Sequence, residues 1–144
     1  MKYDYFIASR WRNKDQVLEL TEKIRNKNKP VYCFIEGDGT QYALKDAEQK
    51  YSAEEFMEMF ENLPNWQTDP RVKEIFDVDM NALKDSEMLI LLLPAGKSAH
   101  IESGAAYGMG KKCILIGEQK ETESLYRIFD EFYPTIDDFI KSLN

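Results

Sequence analysis

The chain has 144 residues, which is enough for one domain with its own core but too few for two packed domains. Its formal charge of −7 and its pI near 4.8 argue against binding to duplex nucleic acid, which needs a basic surface, and favour a small-molecule ligand. Cys33 and Cys113 lie apart in two apolar runs without the spacing of a metal site, so we expect free thiols in a reducing compartment.

Four apolar runs with the composition of β-strands alternate with helical segments. They cover residues 3–8, 30–35, 88–93 and 112–116. This alternation is typical of a parallel sheet. The run at 88–93 is apolar at every position, as expected of a strand covered on both faces, so we place it at the centre of the sheet. A fifth strand, at the edge, is predicted over residues 126–129, with Tyr126 as an edge-strand aromatic unless its hydroxyl reaches the ligand site.

Periodic apolar residues predict the helices between these strands. They cover residues 13–26, 53–61, 70–85, 99–109 and 136–143. The helix at 70–85 has the clearest start, because Asp69 is a favourable N-cap and proline follows at the first helical position. A doubly wound parallel sheet of about five strands in a single three-layer α/β domain, residues 1–144, is therefore expected.

A long polar segment over residues 36–52 interrupts this alternation. Loops of that length are usually functional or disordered, and we interpret this one as a candidate lid. The longest apolar run, residues 88–93, is too short to cross a bilayer. We therefore expect a soluble, cytoplasmic protein that does not bind membranes.

The ligand site is expected where the first and third strands end. Ligands of open parallel sheets bind beyond the C-terminal strand ends, at the point where the connections diverge to opposite faces. In a flavodoxin-like strand order the loops at residues 9–13 and 94–100 meet there, and both are rich in cations and hydrogen-bond donors. The second loop also leads into a helix whose N-terminal dipole end favours anions. An anionic or polyhydroxylated ligand suits this position.

Seven residues of these two loops are candidate ligand contacts. They are Ser9, Arg10, Trp11, Arg12, Gly96, Ser98 and His100. The two arginines either bind an anion or are ordinary exposed charges, and Trp11 either stacks on a base or packs against the core. The glycine would allow close backbone approach, and Ser98 either caps the helix or contacts a phosphate. His100 is the only histidine, which excludes a multi-histidine metal site, and it either supports the structure or contacts the ligand.

Two carboxylates are candidate catalytic groups. Glu102 is predicted in the first turn of its helix, where the dipole favours the ionised form, so it is either a nucleophile or base or an ordinary first-turn acid. Asp79 falls between Ile75 and Phe76 on the helical wheel, within an inward-facing apolar stripe. Because a buried carboxylate must be paired, neutral or in a pocket, Asp79 is either a structural hydrogen-bonding residue or a site residue with a raised pKa.

Three segments of the chain together resemble the nucleoside 2-deoxyribosyltransferase superfamily, which includes the 2-deoxynucleoside 5-phosphate N-hydrolases. They are YFIAS at residues 5–9, FDVDMNAL at residues 76–83 and GKSAHIESGAA at residues 96–106. The last is the most specific. It looks like the Gly-Arg-Ser-Ala-His-x-Glu-x-Gly loop of a phage and bacterial branch, with Lys97 in place of the arginine. The resemblance covers most of the chain.

The resemblance implies a flavodoxin-like fold and cleavage of the N-glycosidic bond of 2-deoxynucleosides or their 5-monophosphates. Glu102 matches the nucleophile of the family, Asp79 the carboxylate that handles the leaving base, and Tyr5 a tyrosine that orients the nucleophile. A glycosyl ester on Glu102 would then pass the sugar to a second base or to water. A homo-oligomer is also implied, and we expect no cofactor and no metal.

Two further functions are compatible with the same residues. One is a non-catalytic nucleotide-sensing module on the same fold, because a fold alone does not establish catalysis. The other is a related glycohydrolase that cleaves NAD or another ribonucleotide with the same kind of glutamate.

Overall fold

The computed structural model of the chain describes residues 1–36, 58 and 60–144. These residues form a five-stranded sheet of β1 Tyr3–Ala8, β2 Val31–Cys33, β3 Ser86–Leu92, β4 Lys112–Ile116 and β5 Glu131–Tyr133. The strand order is β2-β1-β3-β4-β5 and all neighbours are parallel, which is the flavodoxin-like, doubly wound order. The central position predicted for the third strand is confirmed.

Helices cover both faces of this sheet. They are α1 Lys14–Arg25, α2 Pro70–Lys84, α3 Lys97–Gly108 and α4 Ile136–Lys141. Apolar residues of α1 and α4 pack with one set of alternating strand residues, and those of α2 and α3 pack with the other set. In β3, Ile90 faces the first pair of helices and Leu89 the second, and both are fully buried. Burial on both faces explains why this strand is apolar from Met88 to Leu92.

Most predicted boundaries are close to the observed ones. Asp69 caps α2 as predicted, since its side chain accepts a hydrogen bond from the backbone N–H of Arg71 at 2.9 Å. β2 is shorter than the predicted 30–35, because the chain turns after Cys33, with the N–H of Glu36 donating to the Cys33 carbonyl at 3.1 Å. Two expectations concern undescribed residues. The candidate lid is described only at Glu36, and the helix at 53–61 only at residues 58, 60 and 61, which are helical.

The edge strand is not where the sequence predicts it. Residues 124–128 form a 3-10 helical segment, and the edge strand is β5, which begins at Glu131. The Glu123 carboxylate accepts a hydrogen bond from the N–H of Leu125 at 3.2 Å and so caps the helical turn. Phe129 at its end is buried against the core, so the apolar residues of this run pack against the sheet without forming a strand of it. Within the described residues no helix is long and apolar enough to span a membrane.

Candidate active site

The C-terminal ends of β1 and β3 lie side by side and are joined by Ser9. The buried Ser9 hydroxyl donates to the Leu92 carbonyl at 2.8 Å and accepts from the side-chain amide of Asn13 at 3.2 Å. The two strand ends at which the connections diverge to opposite faces of the sheet therefore lie together as the sequence predicts. The hydroxyl of Ser9, a candidate ligand contact, is committed to holding the two strand ends together.

The helix that follows β3 begins earlier than predicted. α3 starts at Lys97, with Gly96 in an extended conformation as its N-cap, instead of at residue 99. Ser98 is therefore an exposed residue of the first turn and not the cap. Glu102 lies in the second turn, so the prediction that places it in the first turn is wrong.

Glu102 is partly buried, on the side of α3 next to its core-facing residues. Burial, with the negative charge of Asp79 as a smaller cause, raises the pKa of Glu102 to about 8. The expectation that the helix dipole keeps this carboxyl ionised at neutral pH is therefore wrong for the ligand-free protein. Near neutrality the protonated form of Glu102 predominates.

Asp79 faces the sheet from the middle of α2, as its position on the helical wheel predicts. Its carboxylate accepts a hydrogen bond from the Tyr32 hydroxyl at 3.3 Å. Burial raises the pKa of Asp79 to about 6, although the Tyr32 hydrogen bond opposes this shift. The apolar stripe around it is narrower than predicted, because Phe76 is 60% exposed.

Tyr32, on β2, is a site residue that the sequence does not reveal. Its ring stacks on Phe6 at a centroid distance of 5.1 Å and meets the edge of Tyr3 at 5.6 Å. Burial and the charges of Asp79 and Glu102 raise its pKa, so its hydroxyl stays protonated and can donate. Nothing in the composition of the short strand indicates this role, which depends on the register Phe6↔Tyr32 between β1 and β2.

Tyr5 is not brought together with the two carboxylates. Its side chain is 4% exposed and lies on the opposite face of the sheet, edge-on to Phe139 at 5.7 Å. Burial and the charges of Asp4 and Glu131 raise its pKa, whereas neither candidate catalytic carboxylate contributes. The geometry therefore does not support the orienting role that the resemblance implies for Tyr5.

His100 connects α3 to the 3-10 segment. Its Nδ1 lies 2.7 Å from the Gly96 carbonyl, which can only accept, so Nδ1 carries the proton and Nε2 accepts from the Tyr126 hydroxyl at 2.8 Å. The Tyr126 ring also stacks on Phe129 at 6.0 Å. Both ring nitrogens of His100 are therefore used in holding the start of α3, and Tyr126 is a contact of that helix instead of an edge-strand residue.

The loop after β1 lies against the loop that leads into α3. A Cβ atom at Gly96 would be 3.9 Å from the Cβ of the exposed Arg10, an ordinary contact distance. Trp11 is 7% exposed and packs against Phe34 at 6.4 Å, which favours the packing interpretation of this residue. Arg12 lies 3.4 Å from the carboxylate of Glu61. Arg10 and the first turn of α3 thus form one cationic, partly exposed border of the site.

α2 and α3 thus carry the two carboxyl groups on one face of the sheet, close enough for the charge of Asp79 to act on Glu102. Burial raises the pKa of both groups, to about 6 for Asp79 and about 8 for Glu102, which favours a form of the pair with one proton near neutral pH. One acid and one carboxylate are then available for proton transfer and nucleophilic attack. Within the described residues, no group of three or more histidine, cysteine, aspartate or glutamate side chains is arranged to hold a metal ion.

No protein-family model and no curated protein matches this sequence. Among solved structures, the chain is similar to the CMP N-glycosidase BcmB of Clostridium botulinum, with a TM-score of 0.55, 19% identity and coverage of 96% of each chain. It is also similar to the 2-deoxyribosyltransferase of Bacillus psychrosaccharolyticus, with a TM-score of 0.63, 13% identity and coverage of 94% of this chain and 89% of the other. The chain therefore has the nucleoside 2-deoxyribosyltransferase-like fold that the resemblance implies.

Proposed function

We propose that this protein cleaves the N-glycosidic bond of 2-deoxynucleosides or their 5-monophosphates and passes the sugar to water or to a second base. The observation that carries the proposal is the placement of Glu102 and Asp79 on adjacent helices over one face of the sheet, where burial raises the pKa of both carboxyl groups. The two similar structures are an N-glycosidase and a 2-deoxyribosyltransferase, and both names describe chemistry at this bond.

In the proposed reaction Glu102 acts as the nucleophile and Asp79 as the acid. An oxygen of ionised Glu102 attacks the anomeric carbon while the bond from that carbon to the base breaks, through a transition state with oxocarbenium character. The electron pair of the broken bond goes to the base, which takes a proton from Asp79. Water or a second base then attacks the same carbon and releases Glu102 from the glycosyl ester, with Asp79 accepting the proton.

A 5-phosphate on the substrate would lie at the cationic border of the site. Arg10, Lys97 and Ser98 are exposed there, and the first backbone N–H groups of α3 have no partner within the helix. Cationic side chains and a helix N-terminus are together suited to bind a phosphate. We therefore favour nucleotide over nucleoside substrates.

A ribonucleotide glycohydrolase is the second candidate function. One of the two similar structures is named for its action on CMP, a ribonucleotide. Neither the fold nor the two carboxyl groups therefore decide whether the sugar of the substrate is ribose or deoxyribose. In the first candidate function the site discriminates against the sugar 2-hydroxyl, and in the second it accepts that group.

The test is a chromatographic assay of the purified protein with deoxynucleosides, their 5-monophosphates, ribonucleotides and NAD, each with and without a free acceptor base. Release of free base supports a hydrolase, and a new nucleoside or nucleotide supports a transferase. Binding of these compounds without any turnover would contradict the proposal and support the nucleotide-sensing alternative.

A further inference from the structure

Tyr32 contacts one of the two proposed catalytic groups, Asp79, through its hydroxyl. Its ring is 7% exposed and contacts both Phe6 and Tyr3. These contacts restrict the direction in which the hydroxyl can point. The hydroxyl donates to Oδ1 of Asp79 at 3.3 Å, the contact that joins β2 to α2 at this position.

The titratable groups around Tyr32 come from three neighbouring elements. Within the described residues they are Tyr3 from β1, Asp79 from α2 and Glu102 from α3. Among them the Tyr32 hydroxyl donates a hydrogen bond to Asp79 alone. The contact is therefore asymmetric, because it stabilises a negative charge on Asp79 and gives no such support to Glu102.

We propose, on the basis of the function proposed above, that Tyr32 is a positioning residue whose hydroxyl fixes the Asp79 carboxylate and determines which member of the Asp79–Glu102 pair carries the proton. In the ligand-free protein the donated hydrogen bond favours ionised Asp79, so the proton lies on Glu102. Attack on the sugar requires the reverse arrangement, with ionised Glu102 and protonated Asp79.

Tyr32 can support both arrangements, because a tyrosine hydroxyl both donates and accepts. When the substrate binds, the proton moves from Glu102 to Asp79, and the Tyr32 oxygen then accepts a hydrogen bond from the Asp79 carboxyl group. No proton enters or leaves the pair in this step. The proton on Asp79 is the one that the leaving base later takes, so the position of that carboxyl group affects the bond-breaking step.

With these proton positions, kcat/KM depends on pH at both ends of the neutral range. The active form is the singly protonated pair, so kcat/KM of the wild type falls below the pKa of Asp79, about 6, and above the pKa of Glu102, about 8. Loss of the Tyr32 hydroxyl destabilises ionised Asp79, so the fall of kcat/KM on the acid side (the lower limb of the pH profile) moves to higher pH. The fall on the alkaline side (the upper limb) stays in place, because Asp79 is ionised at pH values both below and above it.

The experiment compares the wild type with Tyr32→Phe, and uses Tyr3→Phe as the matched control on the same face of the sheet. The carboxyl ¹³C signal of Asp79 is titrated by NMR, and kcat/KM is measured against pH with CMP and its 2-deoxy analogue. In Tyr32→Phe we expect the titration midpoint of Asp79 and the acid-side midpoint of the kcat/KM profile to rise by about one pH unit, a tenfold change in proton affinity. We also expect kcat to fall roughly tenfold or more with KM unchanged within about twofold.

An Asp79 midpoint in Tyr32→Phe equal to that of the wild type overturns the proposal, and so does an equal shift in Tyr3→Phe. If Tyr32→Phe does not fold, the ring ¹³Cζ signal of Tyr32 in the wild type decides, because it must titrate with the midpoint of Asp79. A Tyr32 ¹³Cζ signal whose chemical shift does not change at the titration midpoint of Asp79 overturns the proposal. Failure of the proposed function has a different signature, namely no base release by the wild type, while the NMR titrations still decide the Tyr32 contact.

Discussion

At the scale of single residues, the site depends on two carboxyl groups whose surroundings oppose their ionisation. Burial raises both pKa values, and the charge of Asp79 adds to the shift of Glu102. The helical wheel predicts the inward position of Asp79 correctly, because a 3.6-residue period relates sequence to helix face directly. Tyr32 escapes prediction because its contact depends on how β2 aligns with β1, and strand register cannot be read from one short strand.

Tyr5→Phe tests whether the tyrosine that matches the family pattern acts in this protein. Tyr5 lies on the opposite face of the sheet from Asp79 and Glu102, so we expect kcat and KM to stay within about twofold of the wild type. The measurement is steady-state base release, with Tyr32→Phe assayed in parallel. A large loss of kcat in Tyr5→Phe alone would show that Tyr5 reaches the site after all.

Glu102→Gln should stabilise the fold, and more so at high pH. The folded state binds the Glu102 proton more tightly than the unfolded state, so the stability of the wild type falls as pH rises from the ordinary glutamate pKa of 4.5 towards about 8. Glutamine carries no charge and avoids this loss. We therefore expect a larger gain in Tm at about pH 8 than at about pH 5.

The control for this comparison is Glu74→Gln, which removes an exposed carboxylate from α2. Differential scanning calorimetry at both pH values gives the four Tm differences. A gain in Glu102→Gln that is the same at both pH values, or that appears equally in Glu74→Gln, would be evidence against a buried, protonated Glu102.

At the scale of elements, the difference between expected and observed structure is largest after β4. The run of Tyr126, Ile128 and Phe129 has strand composition, but the side chain of Glu123 caps a 3-10 turn and Tyr126 reaches back to His100 on α3. Similarly, α3 begins two residues earlier than predicted, because an extended Gly96 can cap a helix whose first residues are polar. Local patterns do not contain these contacts between segments that are distant in sequence.

Tyr126→Phe tests the contribution of the contact between the 3-10 segment and α3. It removes the donor to Nε2 of His100, so we expect a loss of about 1 kcal/mol in stability. That loss corresponds to a Tm lower by roughly 3 °C. Amide hydrogen exchange should also become faster at residues 100–103, the first amides of α3 that donate to carbonyls of its own first turn and cap.

Tyr107→Phe is the matched control, because Tyr107 lies on α3 and is 59% exposed. Thermal unfolding and hydrogen exchange are measured on both variants. Equal behaviour of Tyr126→Phe and Tyr107→Phe would mean that the hydrogen bond to His100 does not stabilise the start of α3.

At the scale of the whole molecule, the strand order follows from the alternation of strands and helices and from the family resemblance. β3, apolar from Met88 onward, lies at the centre, and the ligand-site position follows from the order β2-β1-β3-β4-β5. The sequence does not show which face of the sheet each helix covers. In the structure α2 and α3, which carry Asp79 and Glu102, cover the face of Tyr32, whereas Tyr5 lies on the face that α1 and α4 cover.

The outward face of α3 is unusually apolar for an exposed surface. Ile101 is 69% exposed, a Cβ atom at Gly104 or Gly108 would meet no described atom within 4 Å, and no charged residue follows Glu102 in the helix. The family resemblance implies a homo-oligomer, and we propose that a second copy of the chain covers this face.

Ile101→Glu tests this proposal, with Leu125→Glu as the control because Leu125 is 72% exposed on the 3-10 segment. Light scattering coupled to gel filtration gives the mass of each variant. We expect the wild type and Leu125→Glu to be dimers or larger and Ile101→Glu to be a monomer. A monomeric wild type would contradict the proposed homo-oligomer.

The most direct test of the account is the rate of base release by Glu102→Gln, measured beside the wild type and Glu74→Gln on the substrate that the wild type cleaves fastest. Glutamine keeps the shape of Glu102 but cannot become the anionic nucleophile, so we expect a loss of at least about a thousandfold in kcat, with ligand binding retained. Glu74→Gln should match the wild type. Turnover by Glu102→Gln within about tenfold of the wild-type rate would contradict the assignment of Glu102 as the nucleophile.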